Sequence, residues 1–193
     1  LRCLVGSEMC IRDSYRVNKM PWTKELIPEE FPEWRISSRT KPHFLCHGDR
    51  ISLGDIEFTV LHTPGHSYGH IMLLEEEKKW LFSGDQISAH NIWHFQGNDV
   101  QAPFQSTLHS LKELALKVTE DYKIYPAHDI IPIQKKYLTD LIDCFEWELQ
   151  ENYKKDAPFH SFAGDGYQHF YQTVNLIYSD ERLGEFLGRK IER

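Results

Sequence analysis

The 193-residue sequence lacks any apolar run near the ~20 residues of a membrane-spanning helix. Its longest runs, such as Ile71-Met-Leu-Leu74, have only the length of a strand. It also lacks a basic patch: no Lys/Arg cluster exceeds two residues, and the formal net charge is -7. Neither nucleic acid nor a membrane surface is therefore an expected partner, since both depend on clustered positive charge. There is no GxGxxG or GxxxxGK[ST] phosphate loop and no internal repeat. Cysteine is scarce. Cys3, Cys10, Cys46 and Cys144 form no CxxC pair, and their spacing fits no zinc ribbon or disulfide framework. The expectation is four free thiols and a cytoplasmic protein. Hydrophobic residues at 40% and charged residues at 26% exclude the disordered and low-complexity classes.

What is present is histidine, eleven residues of it, on a recognisable succession of elements. Residues 1–14 do not begin with Met and have neither signal-peptide character nor strand or helix periodicity. They read as a non-native tract resembling translated adapter sequence. Residues 15–44 are punctuated by Pro21, Pro28, Pro32 and Pro42, with a short helix expected around Thr23–Phe31. Strand and turn signals then alternate from Ile51 to Phe82 as an antiparallel meander. A His-, Asn- and Gln-rich loop is expected from Asp85 to about Ala102. Leu108, Leu111, Leu114, Ala115 and Val118 mark one apolar helix face. Tyr122–Tyr125 reads as a buried strand, and a long amphipathic helix follows from Pro132 to about Lys155. Residues 168–178 and 181–191 read as two more helices. The division is thus 1–14, a domain over 15–130, and a helical extension over 131–193.

Three segments share one design: Thr63-Pro-Gly-His66, Ser83-Gly-Asp85 and Tyr125-Pro-Ala-His128. In each a strand ends, a small residue follows, and a metal-capable side chain appears. Strand ends let a rigid sheet aim side chains into a cleft made by loops. Gly65 and Gly84 permit turns or close approaches that a Cβ would block. Imidazole and carboxylate suit zinc, and a carboxylate can bridge two ions.

The run Gly54-Asp-Ile-Glu-Phe-Thr-Val-Leu-His-Thr-Pro-Gly-His-Ser-Tyr-Gly-His70, with Leu81-Phe-Ser-Gly-Asp85 and Ile124-Tyr-Pro-Ala-His128, resembles the metallo-β-lactamase-fold hydrolase superfamily. The similarity is to the branch containing the hydroxyacylglutathione hydrolases, and it covers roughly residues 45–130. It implies an α+β fold, an αββα sandwich incomplete at its N-terminus, here with the helical C-terminal extension. It also implies that His66 completes the ligand set of a first metal, Asp85 bridges two metals, and His128 completes the second set. The expected cofactor is zinc, two ions in the intact protein, with iron or manganese open. Such a pair activates water against the carbonyl of an ester, thioester, lactone or amide in a small-molecule substrate.

One departure matters. The family's His-x-His-x-Asp-His motif, which supplies the other ligands, has no match in this sequence. His43 and His47 are spaced by four and do not fit it. The expectation is an N-terminally truncated chain that retains three ligands and hydrolyses little by itself. The alternative is a non-catalytic interaction module on the same fold. A di-iron redox role would want a flavin-binding loop, and a nucleic-acid-processing role an insert between Asp85 and His128; neither is present.

The remaining histidines have plainer readings. His70 is taken as structural, although it lies near the site. His90 and His94 mimic HExxH spacing without its Glu, and are read as part of a solvated loop. His109 belongs on the polar face of its helix. Glu75-Glu-Glu77 reads as a solvated turn. The aromatic tail, from Trp147 to Phe186, leaves three roles open: packing on the sandwich, a substrate wall, or a homodimer surface.

Overall fold

The computed structural model describes residues 44–89, 91–95, 101–150, 152–161 and 164–192. Residues 46–193 form one compact unit. The expectations for 1–14 and for a helix at 23–31 lie outside the described residues, as do those for His43 and His90.

Four strands form the expected meander: β1 (Arg50–Ser52), β2 (Glu57–His62), β3 (Ile71–Glu75) and β4 (Trp80–Gly84). All pair antiparallel, with Val60 opposite Leu73 and Leu74 opposite Leu81. Strand β5 (Asn91–His94) follows, then helix α1 (Phe104–Lys117), then β6 (Lys123–Pro126). Strand β6 joins the first sheet parallel to β4, giving the order β1-β2-β3-β4-β6. A parallel neighbour needs a crossover connection, and α1 supplies it. Pro103 precedes its first turn, where its fixed φ of -56° suits helix entry. Helix α2 (Lys136–Leu149) and a 3-10 turn (Asn152–Lys155) come next.

The chain then departs from expectation. Residues 168–178, which the sequence reads as a helix, are strand. Strands β7 (Ala157–Ser161), β8 (Gly164–Tyr171) and β9 (Val174–Tyr178) form a second sheet with β5, in the order β5-β9-β8-β7. The difference has a physical cause. Phe170, Val174 and Ile177 fit a helical repeat, and no Gly or Pro marks the β8–β9 turn, where Gln172 takes a φ of 51°. Strand β9 is buried along its whole length, so alternation gives no sign of it. The extension is therefore half sheet, closed by helix α3 (Asp180–Leu187), where a helix is expected. Ser179 caps α3 by accepting the Arg182 N–H at 3.2 Å.

Among the described residues a single apolar cluster joins the two sheets to helices α1, α2 and α3. It runs from Met72 and Leu81 through Ile92, Leu111 and Leu138 to Leu176 and Leu183. The aromatic tail contributes Phe145, Tyr153, Tyr178 and Phe186 to it. Glu75 is only 3% exposed, its carboxylate accepting the Lys78 N–H, so the Glu run is not wholly solvated. Cys46 is disulfide-bonded, which corrects the free-thiol reading there; Cys144 is free and buried. His109 is exposed on α1 as expected.

Candidate metal centre

Strands β2, β4 and β6 point the same way, because β3 runs antiparallel between β2 and β4, and β6 is parallel to β4. Their C-terminal ends therefore lie at one edge of the first sheet. His66 follows β2, Asp85 follows β4 and His128 follows β6. Topology alone gathers three residues spaced 19 and 43 apart in the chain.

Local contacts aim them. The His66 N–H donates to Gln86 Oε1 at 3.1 Å, and the Ala102 N–H to the Gly65 carbonyl at 3.0 Å. A Cβ on Gly65 would stand 2.2 Å from Gln86 Oε1, so a larger residue there would displace the amide that holds the His66 N–H. The Ala127 N–H donates to the Gly84 carbonyl at 3.0 Å, tying the Asp85 turn to the His128 turn. Gly84 has a φ of 58°, and a Cβ there would meet His70 Nε2 at 2.7 Å.

The three predicted residues do meet. Asp85 Oδ2 lies 3.4 Å from His66 Nε2, and Oδ1 lies 3.1 Å from His128 Nε2. Each carboxylate oxygen thus faces a different imidazole. Asp85 Oδ1 is buried yet has no hydrogen-bond partner. Burial holds the His66 pKa below its ordinary value, with Asp85 opposing that shift and His128 adding to it. A neutral imidazole with a free lone pair is the form that binds a metal.

His70 stands behind this trio, its ring 6.3 Å from that of His66. Its Nδ1 is hydrogen-bonded to Thr63 Oγ1 at 2.9 Å, and burial with the neighbouring His66 lowers its pKa to about 4. His62 closes the same loop through the Tyr68 carbonyl at 2.8 Å, and His47 Nδ1 accepts the His62 N–H at 3.2 Å.

The trio opens onto a cavity of about 390 Å³, lined also by Ser88, Asn91, Trp93 and Asp129. The sequence reading does not include these four. Ser88 donates to Asp129 Oδ2 at 3.1 Å, and Asp129 takes a φ of 72°, unusual for a residue with a Cβ. Asn91 and Trp93 alternate with Ile92 and His94 along β5, so one pair faces the cavity and the other the core. The expected long loop after Asp85 thus contains a strand. His94 is no solvated residue: it is 1% exposed, packed edge-on against Phe104 and Phe145 at 4.9 and 5.3 Å. Burial, then Arg182 and His66, push its pKa well down, and its Nδ1 has no hydrogen-bond partner.

A second polar cluster lies behind the second sheet. Glu148, Asp156 and His169 are the one group among the described residues whose three donor atoms fall within 4.8 Å of one another. Its Asp156 carboxylate and His169 Nδ1 are already engaged, while His169 Nε2 is buried without a hydrogen-bond partner. His169 Nδ1 donates to Asp156 at 2.7 Å and approaches Glu148 at 3.6 Å, and the Tyr178 hydroxyl donates to Asp156. The Asp156 and Glu148 side chains are 1% and 0% exposed. A glutamate on the apolar face of α2 is the sequence signal for it.

The family model of the metallo-beta-lactamase superfamily matches residues 18–132, more than half of the chain. The chain belongs to this superfamily. It is 40% identical over 80 residues to an acyl-coenzyme A thioesterase of Gallus gallus, covering 39% of this chain and 29% of that protein. It is 34% identical over 86 residues to a hydroxyacylglutathione hydrolase of Bdellovibrio bacteriovorus, covering 45% and 32%. The chain thus spans about a third of the length of these relatives. A metallo-beta-lactamase family protein of Thermus thermophilus shares the fold, with a TM-score of 0.52, 21% identity, and 81% and 57% of the two chains covered. A beta-lactamase domain protein of Burkholderia ambifaria does so at 0.50 and 19%, with 80% and 43% covered. Among the described residues no helix is long and apolar enough to cross a membrane.

Proposed function

We propose that this superfamily member is a metal-dependent hydrolase whose two-zinc site includes His66, Asp85 and His128, and whose substrate is a small acyl ester or thioester. The observation that supports it is the Asp85 carboxylate, with one oxygen toward each imidazole and a buried Oδ1 that lacks a hydrogen-bond partner. A buried carboxylate oxygen left unsatisfied is costly unless a cation completes it. Nitrogen, oxygen and nitrogen donors form a set that fits zinc. His66 would serve one ion and His128 the other, with Asp85 between them. The 193 residues contain no His-x-His-x-Asp-His motif, so by themselves they would hold metal weakly and hydrolyse little.

Bound zinc supplies a nucleophilic water at neutral pH and polarises the acyl carbonyl. The protein residues supply position. Gln86 fixes the main chain of His66 and so the point from which its imidazole reaches Asp85. Trp93 gives the acyl group an apolar wall, and Asn91 offers an amide to the substrate's polar end. Ser88 holds Asp129 at the rim beside His128. In the net reaction water oxygen joins the acyl carbon, the bond to the leaving sulfur or oxygen breaks, and a carboxylic acid and a thiol or alcohol result. Thioesters lead the substrate classes because two similar proteins are a thioesterase and a hydroxyacylglutathione hydrolase. The test is thioester hydrolysis by the natural-length protein after metal removal and zinc return. Activity that disappears and reappears is expected; metal-independent hydrolysis, or none with zinc restored, contradicts the reading. Elemental analysis of the purified protein decides among zinc, iron and manganese.

A further inference from the structure

Helix α3 carries a charge into the core. Arg182 is 1% exposed, among the largest side chains that the fold encloses. A guanidinium taken out of water is costly unless its N–H groups find acceptors. Two of its acceptors are main-chain carbonyls far away in sequence. Nη2 donates to the Ala102 carbonyl at 2.5 Å and to the Gln101 carbonyl at 3.4 Å, across 80 and 81 residues of chain. Nη1 donates to Glu185 Oε2 at 2.9 Å on the same helix. Gln101 and Ala102 are themselves buried.

These two residues hold two parts of the candidate metal centre. The Ala102 N–H donates to the Gly65 carbonyl at 3.0 Å, one residue before His66. Gln101 Nε2 donates to the Trp93 carbonyl at 2.6 Å, on the strand whose Trp93 side chain walls the cavity. The Gln101 carbonyl and the Ala102 N–H belong to one peptide group. Arg182 grips one end of that peptide while the other end holds the ligand turn, an arrangement in which each hydrogen bond polarises the next. The Ala102 carbonyl ties the following peptide to the same nitrogen. Helix α1 adds its own contact, Ser110 Oγ donating to the Pro64 carbonyl at 3.2 Å. Gln105 Nε2 donates to the Phe186 carbonyl at 2.8 Å and joins α1 to α3. The His128 turn is held differently, through the Ala127 N–H and the Gly84 carbonyl.

We infer that Arg182 is a positioning residue for the first metal ligand: through the 101–102 peptide, helix α3 sets the His66 turn, and loss of the guanidinium weakens the metal bound by His66 while sparing the one bound by His128. This rests on the hydrolase reading and adds to it a residue of the C-terminal extension. Arg182 touches neither metal nor substrate. Its fork reaches two successive carbonyls at once, which a lysine ammonium on a flexible stem does less well.

The test compares the natural-length protein with Arg182→Lys, Arg182→Met and Glu185→Gln. Zinc is titrated against a competing chelator so that two binding steps are resolved, with His66→Ala and His128→Ala marking which step is which. Arg182→Met should weaken the His66 step about tenfold or more and leave the other step unchanged, as for loss of a group that orients a ligand. Arg182→Lys, which keeps the buried charge, should show a smaller loss at the same step, and it carries the test alone if Arg182→Met does not fold. Glu185→Gln leaves both carbonyl contacts in place and should keep wild-type affinity at both steps. Amide exchange in the metal-free protein gives a second readout. In Arg182→Lys the Ala102 N–H should exchange faster, while the amides of β3 keep wild-type protection, which marks a local loosening rather than global unfolding. Equal losses at both zinc steps, in proportion to lost stability across the variants, overturn the proposal and make Arg182 a folding residue only. Unchanged zinc affinity or unchanged Ala102 exchange in Arg182→Lys overturns it too, and the hydrolase reading then stands if zinc-dependent thioester cleavage is seen in the wild type. Failure of the hydrolase reading shows separately, as a wild-type protein without zinc-dependent cleavage.

Discussion

Two regions of this molecule bring histidine and carboxylate together, and they do it in opposite ways. At the edge of the first sheet, Asp85 lies between His66 and His128, about a fifth exposed and open to a large cavity. Behind the second sheet, Glu148, Asp156 and His169 are more tightly gathered but closed, the two carboxylates being 0% and 1% exposed. Compactness of donors alone would choose the second as the metal site. Access chooses the first: its residues line a cavity of about 390 Å³, whereas the two carboxylates of the second are closed off. Asp156 is occupied by His169 and Tyr178, and these bonds link the end of α2 and the 3-10 turn to strands β8 and β9. Asp85 Oδ1 has no hydrogen-bond partner. A closed polar network that ties three elements together specifies a fold, whereas a set of donors facing a cavity is open to a ligand.

Substitutions should separate the two. In the natural-length protein, Asp85→Ala or His66→Ala should lower thioester hydrolysis at least ~10³-fold, about 4 kcal/mol of barrier, with thermal stability near that of the wild type. Full activity in either variant would refute the site. Asp156→Ala should do the reverse. It strips the partner from buried His169 and Tyr178 and should cost about 3 kcal/mol of folding stability by urea denaturation, while zinc affinity of the folded fraction stays unchanged. Gly84→Ala places a Cβ against His70 and forces a φ of 58° on a residue with a side chain. It should lower stability by about 1–2 kcal/mol and weaken zinc binding, because it moves the turn that carries Asp85.

Two smaller effects concern pH. His94 is buried neutral, with its pKa well below the ordinary 6.5. The unfolded chain binds a proton there near pH 6.5 and the folded chain does not, so stability is full above that pH and falls as pH drops below it. His94→Phe keeps the ring contacts and should reduce the loss of stability between pH 7 and pH 5 by about 1 kcal/mol. Asp140 is smaller again. Burial would raise its pKa, but hydrogen bonds from Lys136 and Thr173 outweigh that and hold it below the ordinary 3.8. Its contribution is present above that value and is lost as pH falls through the lower folded one. Asp140→Asn should therefore flatten the stability curve below about pH 4 while leaving it less stable, by about 1 kcal/mol, at neutral pH.

The same contrast explains what can be read from sequence. The meander, helices α1 and α2 and all three candidate ligands carry local signals: alternation, helical spacing, and a Gly or Pro at a strand end. The second sheet does not. Strand β5 is four residues long and pairs with β9 some 84 residues later, so its identity depends on a partner that local pattern cannot show. That is why the sequence puts His94 in a solvated loop, and why it gives no sign that Asn91 and Trp93 line a cavity. It is also why Gln168–Tyr178, with a spacing that suits a helical repeat, reads as helix. The site's ligands are legible because each is fixed by its own strand end. Its walls are not, because they come from strands brought together across the chain.

The most direct measurement is zinc affinity, by competition with a chromophoric chelator, for the natural-length protein and for Asp85→Asn and Asp156→Asn. Both substitutions remove a carboxylate at little change in size. The expected result is a loss of at least about tenfold in Asp85→Asn and wild-type affinity in Asp156→Asn. Wild-type affinity in Asp85→Asn with a loss in Asp156→Asn would move the metal to the buried cluster and contradict the account.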